Sequence, residues 1–138
     1  MKYLLDTDFL SATSKRTPDR RALDWLRRND GEATLCTVTL AEFAHGLAHA
    51  PDDETRKNLT LFLAEVRSTY TEDLLTITEA VLLEWKELIA ELKAANRTIG
   101  CEDSLIAACA RAHQLTVVTA NTRHFEAAGV RCLNPLVK

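Results

Sequence analysis

Asp6, Glu42 and Asp103 lie far apart in the sequence, yet each falls at the end of an apolar run or the start of a helical pattern. Such positions converge on one edge of a parallel sheet. Carboxylates gathered there repel one another and hold their protons more tightly. A hard divalent cation with oxygen ligands relieves that repulsion and keeps water ligands for reaction. The chemistry to expect is therefore metal-assisted: the ion polarises a phosphodiester oxygen, activates a water for attack on phosphorus and steadies the leaving oxygen. Each acid also has a structural reading. Asp6 can simply end a strand, Glu42 can close a capping box with Thr39, and Asp103 can favour a helix N-terminus. Taken singly these readings are at least as strong, so the catalytic one rests on convergence.

The elements must supply that convergence. Tyr3-Leu4-Leu5 is an apolar run that stops at Asp6, after which Thr7 or Asp8 caps a helix carrying Phe9 and Leu10. Residues 22–28 read as helix and 33–37 as a second strand, and Thr39-Leu40-Ala41-Glu42 has the spacing of a capping box that starts another helix. After the break at Pro51-Asp52-Asp53, Leu59, Phe62, Leu63 and Val66 recur at helical spacing, and 74–77 is a brief strand. A longer helix follows, with Val81, Leu82, Trp85, Leu88, Ile89 and Leu92 as one stripe opposite Glu84, Lys86, Glu87, Glu91 and Lys93. Asp103 opens a helix with Leu105, Ile106, Ala108, Cys109 and Ala112 inward; a β-branched strand at 116–119 and a last strand near 130–133 complete the chain. This alternation predicts an α/β domain: one parallel sheet flanked by helices on both faces, with ligands beyond the C-terminal strand ends where the strand order reverses. Asp6 and the residues after Thr119 belong at that edge.

At 138 residues, 46% of them hydrophobic, the chain is expected to form one domain spanning 1–138. No apolar run approaches the roughly 20 residues of a membrane span, and MKYLLDTDFL is too short in its apolar part for a signal peptide, so a soluble cytoplasmic protein is expected. Cys36, Cys101, Cys109 and Cys132 contain no C-x-x-C pair and read as reduced, mostly buried thiols. A net charge of -3 and a pI near 5.8 exclude a protein that wraps nucleic acid electrostatically, so affinity for a polyanion has to be local. Lys15, Arg16, Arg20, Arg21, Arg27 and Arg28 are the nearest thing to a basic cluster. Asp19, Asp24 and Asp30 are interleaved with them, and a solvated mixed-charge helix face explains the stretch as well as substrate contact does.

Three blocks carry a resemblance. Leu4-Leu5-Asp6-Thr7-Asp8-Phe9-Leu10-Ser11 is similar to L-D-T-N-x-x-S, and Thr37-Val38-Thr39-Leu40-Ala41-Glu42-Phe43 with Gly46 is similar to S/T-x-x-T-x-x-E-L-x-x-G. Glu102-Asp103-Ser104-Leu105-Ile106-Ala107-Ala108, the run Leu115 to Phe125 and Asn134-Pro135 are similar to D-x-x-I-A-A, L-T-V-V-T-x-N/D-x-x-x-F and a closing N-P. In that order and spacing the chain resembles the PIN-domain nucleases, and among them the VapC and FitB-like toxins of bacterial toxin-antitoxin pairs. The resemblance implies RNA cleavage dependent on magnesium or manganese, homodimerisation, and inhibition by a small VapB- or FitA-like antitoxin whose complex binds operator DNA. It assigns Asp6, Glu42 and Asp103 to the acidic metal site. Asp8 stands where the family usually has Asn, and Asn121 where many members carry a fourth acid. On this reading Asn121 orients a metal-bound water, Asp8 adjusts the charge, and Thr7, Ser11, Thr37 and Thr119 surround the site as hydroxyl donors. Residues 59–66 and the Trp85 helix are the expected dimer contact.

Rival readings are weaker. Asp6-Thr7-Asp8 resembles the D-x-D of haloacid-dehalogenase-type phosphatases, but the later acidic motif of that family is missing. His45 and His49 share a helix face without an H-E-x-x-H pattern, which favours a solvent face over a metal site. A PIN-fold module that only binds, acting with its partner on DNA or RNA, would explain Asn121 but gives no reason to keep three like charges together.

Overall fold

The computed structural model describes residues 1–29 and 31–136; Asp30, one of the interleaved acids, lies outside them. β1 (Tyr3–Leu5) runs between β2 (Ala33–Thr34) and β3 (Thr116–Val118), and β4 (Cys132–Leu133) pairs with β3. Every pairing is parallel, in the order β2-β1-β3-β4. Leu4 pairs with Val117 and packs into one hydrophobic cluster; Leu5 pairs with Val118 and packs into the other. Alternating side chains of a continuous apolar run thus feed two cores, one on each face.

Among the described residues seven helices cover those faces. α1 (Thr7–Ser14), α2 (Arg20–Arg28), α3 (Thr37–Ala48) and α4 (Asp53–Tyr70) bring Phe9, Trp25, Phe43 and Leu63 to the Leu5 side. α5 (Glu79–Ala94), α6 (Cys101–His113) and α7 (Thr122–Ala127) bring Val81, Leu88, Ile106 and Phe125 to the Leu4 side. The Arg111 guanidinium ties α6 to α5 through Glu84 at 2.8 Å and Glu91 at 2.6 Å, and to the end of α7 through the Ala128 carbonyl. Gln114 closes α6 with a left-handed backbone (φ 57°), so the chain turns into β3 within two residues. The expected single α/β fold with a parallel sheet between two helical layers is what forms, and the strand order reverses between β1 and β3.

Several boundaries differ from the sequence reading. The second strand ends at Thr34 rather than Thr37, because the next backbone groups turn to Leu75: Leu75 N–H donates to the Leu35 carbonyl at 3.0 Å and Thr37 N–H to the Leu75 carbonyl at 3.0 Å. The strand expected at 74–77 is this single parallel bridge, between Cys36 and Leu75. α3 therefore starts at Thr37 with Cys36 as its N-cap, and the Thr39–Glu42 capping box does not form. Asp6 itself, not Thr7 or Asp8, is the N-cap of α1. On α5 only Val81, Leu88 and Leu92 are buried; Trp85 is half-buried, and Leu82 and Ile89 face outward at the edge of the stripe. On α6 the buried set is Ser104 and Ile106 to Ala110, with Ala112 exposed. α7 has no counterpart in the sequence reading. Cys36 and Cys109 are buried free thiols as expected, but Cys101 is exposed and Cys132 half-buried. No helix among the described residues is long and apolar enough to cross a membrane.

Candidate active site

Asp6 is where β1 becomes α1. Its N–H donates to the Val118 carbonyl at 2.9 Å, continuing the sheet by one bond, and its extended backbone (φ -81°, ψ 154°) then starts the helix. The side chain is 1% exposed, and Oδ2 accepts a 2.7 Å hydrogen bond from the Thr119 hydroxyl just past β3. Thr119 Oγ1 in turn accepts from the Asn121 N–H at 2.9 Å, which aims the hydroxyl proton at Asp6. Strand order places both residues at the reversal between β1 and β3, where open parallel sheets bind ligands.

Glu42 projects from α3 and accepts a hydrogen bond from the Thr7 hydroxyl at 2.7 Å. The Thr7 and Thr39 hydroxyl oxygens are 3.2 Å apart; with Thr7 spending its proton on Glu42, Thr39 donates to Thr7. Asp103 lies in the first turn of α6 and meets His124 of α7, Oδ2 to Nδ1 at 2.8 Å. The Asn121 side-chain amide lies 3.0 Å from the same ring nitrogen. With Asp103 Oδ2 accepting from Nδ1–H, the amide turns its oxygen toward the ring, since one nitrogen cannot both donate and accept there.

The charges are mutually unfavourable. Burial pushes the Asp6 carboxyl up from 3.8 to about 7, against the Thr119 hydroxyl and with help from the charges of Asp103 and Asp8. Glu42 is also raised, by burial first, with Glu102, Asp103 and Asp8 adding and the Thr7 hydroxyl opposing. Among the described residues no Lys or Arg forms an ion pair with Asp6, Glu42 or Asp103. Among the described residues no group of three or more His, Cys, Asp or Glu side chains is placed so as to hold a metal ion. The donor set nonetheless suits a hard cation: carboxylate oxygens of like charge, two of them oriented by threonines, with no thiol among them.

The sequence-predicted residues separate into two groups. The charge of Asp103 acts on both Asp6 and Glu42, with Thr7 and Thr119 holding the latter two. Asn121 reaches Asp103 through His124, Ser11 lines a groove beside the site, and no hydrogen bond joins the Thr37 hydroxyl to the acids. Thr39 and His124 are additions. His124 stands three residues after Asn121 and just before the buried Phe125, a spacing that becomes informative only once that stretch is known to be helical. The basic stretch disperses: Arg16 pairs with Glu54 at 3.2 Å, Arg21 with Asp19 at 3.1 Å and Arg27 with Asp24 at 3.9 Å. His45 and His49 are exposed, their rings 4.3 Å apart.

The family model of the PIN domain matches residues 3–130, and the chain belongs to the PIN-domain family. Among its relatives are the plasmid stability protein StbB of Pseudomonas syringae pv. tomato and the VapC ribonuclease Y4jK of Sinorhizobium fredii. Each is 34% identical over 137 residues, 96% of either chain. The fold is similar to the crystal structure of FitAcB from Neisseria gonorrhoeae, with a TM-score of 0.88 at 30% identity over 96% of this chain and 97% of that one. It is equally similar to FitAB bound to an IR36 DNA fragment, with a TM-score of 0.89 at 27% identity over 99% and 96%. This membership sets aside the D-x-D phosphatase reading.

Proposed function

We propose that the protein is a divalent-metal-dependent endoribonuclease acting in the cytoplasm as the toxin of a toxin-antitoxin pair. The observation that carries this reading is the convergence of Asp6, Glu42 and Asp103, without an opposing Lys or Arg, at the order reversal of the sheet. In this proposal Asp6, Glu42 and Asp103 hold magnesium, with manganese as a substitute. Such an ion, when bound, would supply Lewis acidity to the scissile phosphodiester and lower the pKa of a water toward neutrality. The chain's own contribution is to prepare the carboxylates. Thr119 fixes one oxygen of Asp6, Thr7 fixes one of Glu42, and His124 fixes one of Asp103, so each carboxylate has lost part of its rotational freedom before a cation arrives. Asn121 buttresses His124, and Asp8 at the exposed rim adds negative charge that favours cation entry.

RNA as the substrate is supported by the ribonuclease name of the Sinorhizobium relative, and an antitoxin partner with operator DNA by the FitAB complex on a DNA fragment. Exposed Leu82, Leu83 and Ile89 on α5 offer a contact for a second copy. Purified partner-free protein is expected to cut mixed cellular RNA with magnesium or manganese and not with EDTA. Asp6→Asn and Asp103→Asn should each lower the rate at least about 100-fold. Well-folded wild-type protein that leaves total RNA intact with either metal would instead favour a module that only binds.

A further inference from the structure

A groove of about 660 Å³ opens beside the acids. One wall is Asp8, Ser11, Ala12 and Lys15, which at spacings of three, four and seven form a single face of α1 and its C-cap. Ala120 and Asn121, from the loop after β3, face them. Lys15 therefore stands two turns from Asp8, about 10 Å along the helix axis at about 1.5 Å per residue. Thr17 and Asp19 line the groove as well.

The charge changes along its length. Near Asp8 it adjoins the acidic cluster. Asp19 is engaged by Arg21, through the backbone N–H at 2.9 Å and the guanidinium at 3.3 and 3.1 Å, so its charge is largely answered. Lys15 is exposed and forms no ion pair among the described residues, whereas neighbouring Arg16 is drawn away to Glu54. Among the residues lining this groove Lys15 is the one cation, set about two helical turns from Asp8 along a polar track with the hydroxyl-bearing Ser11 and Thr17.

Resting on the nuclease reading above, the geometry points to this groove as the path of a single RNA strand on one side of the scissile bond. Lys15 binds a backbone phosphate one or two nucleotides from the phosphate that is cut. This local contact answers how a chain of net charge -3 holds a polyanion at all. A lysine at a helix C-cap also complements the helix dipole, but that role acts on stability and leaves RNA affinity untouched.

The test uses full-length protein carrying Asp6→Asn, so that RNA survives, and a labelled mixed-sequence single-stranded RNA followed by fluorescence anisotropy over a series of NaCl concentrations. Adding Lys15→Gln should weaken binding about tenfold at low salt and flatten the slope of log K against log salt by about 0.7, the share of one phosphate on a single strand. Lys15→Arg should restore both, and Lys86→Gln, on α5, should change neither. A slope that Lys15→Gln leaves intact, or that Lys86→Gln flattens equally, overturns the assignment. If Lys15→Gln instead weakens capture of a co-expressed partner protein while the RNA slope stays, the groove belongs to that protein and the RNA assignment is wrong. Wild-type protein that cuts RNA with Lys15-independent binding removes the groove alone; wild-type protein that neither cuts nor binds RNA removes the nuclease reading with it.

Discussion

Each of the three acids accepts a side-chain hydrogen bond from a hydroxyl or imidazole: Asp6 from Thr119, Glu42 from Thr7 and Asp103 from His124. His124 is backed by Asn121. Partners of this kind, one bond behind a metal ligand, usually contribute 10- to 100-fold to metal affinity because they remove the ligand's rotational freedom. His124→Ala should therefore weaken manganese binding about tenfold by titration calorimetry. His124→Asn, whose side-chain N–H can reach the place of Nδ1, should recover most of it. Equal affinity in wild type and His124→Ala would mean that Asp103 needs no such support. The Asn121 amide itself meets the imidazole, at 3.0 Å from Nδ1.

The acids keep their places because the helices behind them are fastened. α6 carries Asp103 in its first turn, and that turn is pinned to α5: the Trp85 indole N–H donates to Ser104 Oγ at 2.8 Å, and the Ser104 hydroxyl donates to the Cys101 carbonyl at 2.7 Å. Ser104 is fully buried, so Ser104→Ala leaves the indole N–H without its partner. The expected cost is about 1–3 kcal/mol, read as a lower urea midpoint at an unchanged slope. Ser104→Thr, which keeps the hydroxyl, should lose less unless its added methyl overpacks the interface. α3, which carries Glu42, is fastened differently. It begins as soon as the chain leaves the sheet, because Thr37 N–H is spent on Leu75. That start puts Thr39 inside the first turn facing Thr7 and sends Glu42 into the cleft rather than back to cap its own helix.

For the molecule as a whole, the acidic cluster sets stability against pH. Asp6 titrates at about 7 in the folded protein and near 3.8 when unfolded, so between those values the native state holds a proton that the unfolded chain has lost. The Asp6 contribution to the stability of the metal-free protein then falls as pH rises from about 4 to 7 and levels off above. The Asp6 share is at most about 4 kcal/mol, from a shift of about 3 units at about 1.4 kcal/mol each. Glu42, also raised, contributes with the same sign. Denaturation in EDTA at pH 5 and pH 8 should show wild type losing stability relative to Asp6→Asn as pH rises, and added manganese should return it to wild type alone. A parallel pH dependence in the two proteins would remove Asp6 as the source.

The sequence by itself determined the alternation of strands and helices, the three acids and their family, because these depend on local periodicity and on residue types that chemistry constrains one position at a time. Leu4 and Leu5 followed by Asp6 already say that a buried strand ends in a carboxylate. Only the tertiary structure decided that Glu42 serves Thr7 instead of its own helix cap, and that residues 74–77 amount to one bridge. It also decided that Leu82 and Ile89 stay outside the core and that His124 links Asn121 to Asp103. The physical reason is the same in each case. A capping box, a strand edge, a stripe position and a histidine all have local partners that compete with distant ones, and the distant ones become available only when the sheet brings β1, α3, α6 and α7 to one edge.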